Sequence, residues 1–565
     1  MRALGQAIII LAAISLIGCE SPEREAERPP DTIVIGTLYT MDPLQPRVEA
    51  AAIKDGIFVF VGGKEAALAL ASPATRLIEL NEDTALPGLI DAHVHIAAIG
   101  SAMRSADLTA AGSFDEIVAL IKERASSLPE NLTVIGRGWH QSKWLTIPED
   151  AVDGFPTHHA LSAAVPAHPV VLEHANGHSV LLNQRAMDQL GIHADSTEPE
   201  GGVIVMQDGH PTGLLHETAI DLAAPLQTYD LQTAEELVDL AQQHLLSEGI
   251  TTAHDAGALQ VDLDAQLAMA ERGDLNIRLY SMVYASDESA LSEWLDRGPL
   301  INAGDSRLTV RSIKVQADGA LGSRTAWLHA PYADAPNTSG VLTYDLTALS
   351  ELIRVSREGR WQISVHAIGD RANSEVLSVF APYTQAATDH RFRIEHAQHL
   401  RRGDGPLFAK QGVIASMQPI HLSSDRLWAI DRLGPQRIDE GAYIWRDLLK
   451  DGVVIAAGTD APVEPVNPIA NFYAAITRKT LTGEPETGFE PAQKLTRLEA
   501  LHSMTLSAAY AGFEERNKGS IEVGKLADLT ILSQDLLTVP EARILETEVT
   551  MTLVGGEVMY RREPQ

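Results

Sequence analysis

Cysteine is almost missing from this chain: Cys19 is the one example in 565 residues, so no intramolecular disulfide can brace the fold. Positive charge is scarce as well. Lys and Arg number 44 against 76 Asp and Glu, a formal net charge of −32 at pH 7. A nucleic-acid face must neutralise phosphates with Lys and Arg, so this balance argues against such a partner. The same deficit leaves little attraction to anionic lipid, although it says nothing about fold. No apolar stretch is long enough for a comfortable membrane span. The uncharged run Ala7 to Ile17 has the length of a signal h-region instead.

That run, with Arg2 before it, ends in Leu16-Ile17-Gly18-Cys19, which resembles the lipobox of bacterial lipoproteins. Residues 1–18 are therefore expected to be a signal peptide, with cleavage leaving Cys19 as the lipid-bearing first residue. A plain signal peptide with an incidental Cys is the alternative. Glu20 to Pro30 is charged and Pro-containing, so residues 19–30 read as a lipidated tether. The expected location is the cell envelope, facing the periplasm or the cell surface, with the lipid anchor as the sole membrane contact.

A chain of 565 residues exceeds one simple core, and two domains plus an insertion is the natural prior. Its content, 45% hydrophobic and 21% charged, is that of an ordinary folded protein. Thr32-Ile33-Val34-Ile35, Ala51-Ala52-Ile53 and Ile57 to Val61 read as strands, and Asp55-Gly56 is a hairpin signal. Leu529 to Leu532, Val549 to Val554 and Val558 to Tyr560 have the same texture at the other end. Exposed strand edges need partners, so residues 31–85 and 516–565 are expected to assemble into one small β-sandwich domain. Between them, short apolar runs alternate with amphipathic stretches such as Leu346 to Arg357 and Ala442 to Lys450. This predicts α/β architecture: a (β/α)8 TIM-like barrel over 86–515, with an insertion at about 104–249.

In such a barrel, functional side chains gather where strands end. His93 and His95 follow the apolar run Ala85 to Ile90. Lys314 lies in Ser312 to Val315, His366 closes Ile363 to His366, His396 closes Arg393 to His396, and Asp460 follows Val453 to Gly458. Strand side chains alternate with period two, so His-x-His turns both imidazoles to one side, a spacing that suits one divalent cation. Alone, that pair reads equally as two surface histidines.

Preceded by Pro87-Gly88-Leu89-Ile90-Asp91-Ala92, the pair becomes specific. With His366, His396, Gly458-Thr459-Asp460 and the return segment Lys518 to Leu529, the chain resembles the amidohydrolase superfamily along nearly its whole length after the tether. Ala317-Asp318-Gly319-Ala320-Leu321-Gly322-Ser323-Arg324-Thr325 and His366-Ala367-Ile368-Gly369-Asp370-Arg371 make it most similar to the amidohydrolase 3 (YtcJ-like) group, which includes N-substituted formamide deformylases.

The resemblance implies a divalent metal, zinc by donor type, as one ion or two. His93, His95 and Asp460 would bind the more buried ion, and His366 and His396 the more exposed one. Lys314 matches a position at which some members carry a carboxylated lysine bridging two metals. A free ammonium has no acceptor and cannot ligate, and a plain ion pair with Asp318 or another carboxylate is the competing role. Asp460 would be ligand and general base, with metal-activated hydroxide attacking a carbonyl. It could otherwise cap the segment that follows. His178, Asp318, Arg324 and Asp370 are weaker candidates for substrate contact; structural roles compete for each, an ion pair supporting the loops for the last two. Trp139 and Trp144 read as core packing, and His254 as ending another strand without a metal.

The expected reaction is hydrolysis of a non-peptide carbon–nitrogen bond in a small-molecule amide or formamide. A cyclic amide, a carbamate or a deaminated ring would use the same site, and a non-catalytic lipid-anchored binding protein would keep the fold without turnover. Substrate choice belongs to the insertion and the βα loops, which vary independently of the metal site.

Overall fold

Asp55 and Gly56 both adopt positive φ, 49° and 79°, the combination a two-residue hairpin turn requires. They join strands Arg47–Lys54 and Ile57–Gly62. Gly555 and Gly556, at 61° and 78°, repeat the device between Val549–Val554 and Glu557–Arg561. The computed structural model describes residues 28–563, apart from 127, 129–131, 142–143, 175–178, 200–201, 227 and 385–388. The expected signal peptide, Cys19 and His178 lie outside the described residues.

Strands from the two ends of the chain share one seven-stranded sheet. Its order is Glu557–Arg561, Val549–Val554, Leu529–Leu532, Arg76–Pro87, Thr32–Tyr39, Arg47–Lys54, Ile57–Gly62. Alternation along Thr32–Tyr39 sends Val34 into one apolar cluster, with Phe58, Leu529 and Leu553. Ile33 and Ile35 enter another, with Ala67.

The centre of the molecule is a barrel of eight parallel strands: β1 Leu89–Val94, β2 Ile250–Ala258, β3 Arg278–Tyr284, β4 Leu308–Gln316, β5 Gln362–Ala367, β6 Arg393–His396, β7 Ile414–Met417 and β8 Ile455–Ala457. A parallel bridge from Val94 to Ala461 brings the last strand back to the first. Buried Arg278 of β3 grips Asp528 at 2.7 and 2.9 Å and fastens the barrel to the seven-stranded sheet. Removing one partner of such a pair costs about 3–5 kcal/mol, because the other charge stays buried.

Between β1 and β2 the chain leaves the barrel. Helix Ile96–Arg104 is followed by a six-stranded sheet whose strands lie between Ala106 and Glu217. Helix Leu231–Ser247, capped by the Asp230 carboxylate on Thr233 N at 2.9 Å, then returns to the barrel wall. Its buried Ala234, Leu237, Val238, Ala241 and Leu245 recur at helical spacing. Trp139 and Trp144 stack with ring centroids 5.9 Å apart in the inserted lobe's own core.

Candidate metal centre

Ile90 and Ala92 of β1 pack with Ala508, Ala509 and Ala511, and alternation turns Asp91 and His93 to the other side. Asp91, fully buried, accepts from Thr459 Oγ1 at 2.6 Å and from Thr459 N at 3.0 Å, which fixes the turn carrying Asp460 beside β1. His93 Nδ1 lies 2.6 Å from Glu395 Oε2. Glu395 is held in turn by Arg393 Nε at 2.7 Å and Nη2 at 3.0 Å. Arg393, buried in the barrel interior, also donates to Ala92 O and Ser416 Oγ and meets His254 Nδ1. Burial alone would raise the Glu395 carboxyl, but Arg393 and then His93 hold it well below its ordinary value. An anionic Glu395 accepts the Nδ1 hydrogen of His93 and leaves its Nε2 lone pair free.

That Nε2 is buried without a hydrogen-bond partner and faces Asp460 Oδ1 at 3.4 Å. A buried lone pair and a carboxylate oxygen opposing one another suit a cation between them. His95 Nε2 is 3.1 Å from the same oxygen. On the far side, His396 Nδ1 pairs with Gln418 Oε1 at 2.8 Å, an acceptor that again leaves Nε2 as the lone-pair nitrogen. His421 Nε2, buried and without a hydrogen bond, stands 3.7 Å from Asp460 Oδ2. Two ligand sets therefore share one carboxylate: His93, His95 and Asp460, and His396, His421 and Asp460, each with donor atoms within 4.8 Å of one another.

The electrostatics suit a cation. Burial, then Lys314, pushes the His93 imidazole down to about 4 and the His366 imidazole down to about 3. Burial, then His366, holds His396 well below its ordinary value. Burial would raise Asp460, but His93, His95 and His396 hold it well below. Neutral imidazoles around an ionised carboxylate are a donor set for zinc-type chemistry. Asp460 and His396 also adopt positive φ, 62° and 72°. For His396 that conformation costs about 1–3 kcal/mol and persists because neighbours enforce it.

Lys314 reaches the same cavity from β4. Its Nζ lies 3.5 Å from Ala256 O, and it forms no salt bridge among the described residues. Burial lowers its pKa, against the pull of Glu395 and Asp460. The competing ion pair with Asp318 is not formed. Asp318 instead accepts from the backbone N–H groups of Trp327, Ile368 and Gly369 at 2.8–3.0 Å and shapes the loops after β4 and β5. His366 stacks edge-on against His396, centroids 4.5 Å apart, with its Nε2 3.4 Å from Gly319 O. It thus lines the centre without joining either compact ligand set.

A cavity of about 540 Å³ covers the centre, walled by His95, Lys314, His366, His396, His421 and Asp460, with Tyr284, Asp425, Trp428 and Glu464 farther out. Asp318, Arg324 and Asp370 lie outside this wall. Arg324 pairs with Asp334 at 2.8 Å, and Asp370 accepts from His329 N at 3.0 Å, so each supports a loop. Two further residues of the centre lie off the strand-end pattern: His421, which rides on helix Pro419–Leu433, and Glu395, hidden beside His396.

The Amidohydrolase family model matches residues 76–560. The protein YtcJ of Bacillus subtilis (strain 168), which carries the amidohydrolase name, is 32% identical over 539 residues, 93% of this chain and 98% of that one. An N-substituted formamide deformylase of Arthrobacter pascens is 26% identical over 546 residues, covering 94% and 98%. Among solved structures, an uncharacterized metal-dependent hydrolase from Pyrococcus horikoshii OT3 superposes with a TM-score of 0.77 at 27% identity, over 90% of this chain and 99% of that one.

Proposed function

The chain belongs to the amidohydrolase family and is a metal-dependent hydrolase, and on that premise we propose that it cleaves the carbon–nitrogen bond of an N-substituted amide or formamide, with Asp460 moving the proton. The observation that carries this reading is the single carboxylate of Asp460 shared by two imidazole sets and faced by the unpartnered His93 Nε2.

His93, His95 and Asp460 would hold one divalent ion, and His396, His421 and Asp460 a second, with zinc the natural fit to these donors. When bound, such a cation activates water and polarises the amide carbonyl. Asp460, ionised in its site, takes a proton from the attacking water on a carboxylate oxygen and delivers it to the departing nitrogen. Lys314, kept toward its neutral amine by burial, is the form that adds carbon dioxide. A nitrogen–carbon bond would form and one proton leave, giving a carbamate whose anionic oxygens could serve as metal ligands. No Ser or Cys nucleophile is needed.

The test is metal-reconstituted protein given linear formamides and amides beside cyclic amides and carbamates, with acid, amine and ammonia measured. Equal formation of acid and amine from the linear compounds supports the reading. Turnover confined to rings or carbamates moves the substrate, and no turnover with metal fully bound removes the activity. We further propose an envelope lipoprotein held by Cys19. The lipobox-like Leu16 to Cys19 supports it, and no helix among the described residues is long and apolar enough to cross a membrane.

A further inference from the structure

A second cleft, of about 690 Å³, opens beside the metal-centre cavity. It lies between helix Ile96–Arg104, the ends of inserted strands Val134–Trp139 and Val170–His174, and the turn 461–466 after β8. Val463 and Glu464 line both spaces. Their turn is bonded directly to the centre: Val463 N donates to Asp460 O, and His95 N donates to Ala461 O, each at 2.9 Å.

Two properties of the cleft define what it would hold. Its floor is apolar, and Val463 and Met103 stand 69% and 45% exposed there. Apolar surface left in water next to a reacting centre gains free energy when a ligand covers it. Among the described residues its lining carries the carboxylates of Asp107, Glu173 and Glu464, the imidazoles of His174 and His244, and one guanidinium, Arg137, which pairs with Glu173 at 2.8 Å. An anionic group entering would lose its hydration and face the Glu464 carboxylate.

We propose that this cleft receives the N-substituent of the substrate, that it selects apolar and non-anionic substituents, and that Val463 sets the size it admits. The proposal rests on the amide-hydrolase reading above. The wild-type test compares kcat/KM for N-methylformamide, N-(cyclohexylmethyl)formamide, and the size-matched pair N-propylformamide and N-formylglycine. The cyclohexylmethyl compound is expected to exceed the methyl one, and the propyl compound to exceed N-formylglycine, each by at least about tenfold.

Val463→Trp adds bulk at the boundary that Val463 forms with both spaces and Val463→Asp makes that boundary anionic; each should lower the cyclohexylmethyl-to-methyl ratio about tenfold, mostly through KM. A protein that turns over none of these formamides removes the formamide reading and leaves the cleft to be judged by binding. The same compounds are then titrated calorimetrically onto metal-loaded protein, where the bulky ligand must bind more tightly and V463W must erase the difference. A ratio unchanged in both variants, or N-formylglycine preferred over N-propylformamide, overturns the proposal.

Discussion

His93 Nδ1 and Glu395 Oε2 are 2.6 Å apart, and both side chains are fully buried. The carboxylate fixes the imidazole's tautomer and orientation, and the Arg393 guanidinium fixes the carboxylate. Glu395→Gln keeps an acceptor but removes the charge that both neighbours need. Metal retention is expected to fall about 10–100-fold. Thermal stability should fall with it, because Arg393 loses its buried anionic partner, by up to about 3–5 kcal/mol. Metal analysis after dialysis against a weak chelator, with melting curves, checks both; full retention would remove Glu395 from its positioning role.

Asp460→Asn removes the proposed proton carrier and leaves the imidazoles of His93, His95, His396 and His421 in place. Turnover should drop about 10²–10⁴-fold while most metal remains bound. Rates and metal content are measured on the same preparation. Activity close to that of wild type would take the base role away from Asp460.

Lys314→Ala opens space where a carbamate would sit. Activity should be lost and then partly restored by short carboxylic acids, whose oxygens substitute for those of the carbamate. A fully active Lys314→Ala enzyme would end the bridging-ligand proposal.

The buried imidazoles give a pH signature. Burial disfavours the charged ring, so His93 and His366 take up a proton at about 4 and about 3 instead of at the ordinary 6.5. In metal-free protein both should stay neutral as pH falls from 8 to 5. The unfolded chain binds those protons earlier, so these two groups lower stability as pH falls below 6.5 toward their folded values. Nitrogen NMR of labelled histidine reports each ring, and a His93 midpoint near 6.5 would contradict the burial argument.

Cys19→Ser should move the protein from the membrane fraction to the soluble one. Unchanged fractionation would sink the lipid anchor.

Much of this architecture is legible in the sequence because strands advertise themselves locally. Leu529–Leu532 and Val549–Val554 appear with the ends expected from their apolar runs. Asp55-Gly56 marks its turn because few other pairs tolerate two positive φ values. His93, His366, His396 and Asp460 stand out as polar residues where an apolar run stops. His421 lacks that signal: on a helix, a histidine after Pro419-Ile420 reads as one more partly buried side chain. Glu395 is concealed differently. It shares the inward side of β6 with Arg393, and the positive φ of His396 swings the neighbouring imidazole out of strand alternation. Which donors meet at Asp460 depends on contacts across more than 360 residues, as with Thr459 and Asp91 at |i−j| of 368.

The bridge between Val94 and Ala461 is flanked by Asp460 N on His93 O at 2.8 Å and His95 N on Ala461 O at 2.9 Å. The clasp that shuts the barrel is thus woven from the same few residues that would grip the ions. Anything bound there favours the fastened state by mass action. Loss of metal and fraying of the seam would then be one cooperative event, in which a chelator would act as a mild, site-directed denaturant. The surrounding loops can drift toward new substrates, while the seam is free to change neither its chemistry nor its fold without the other.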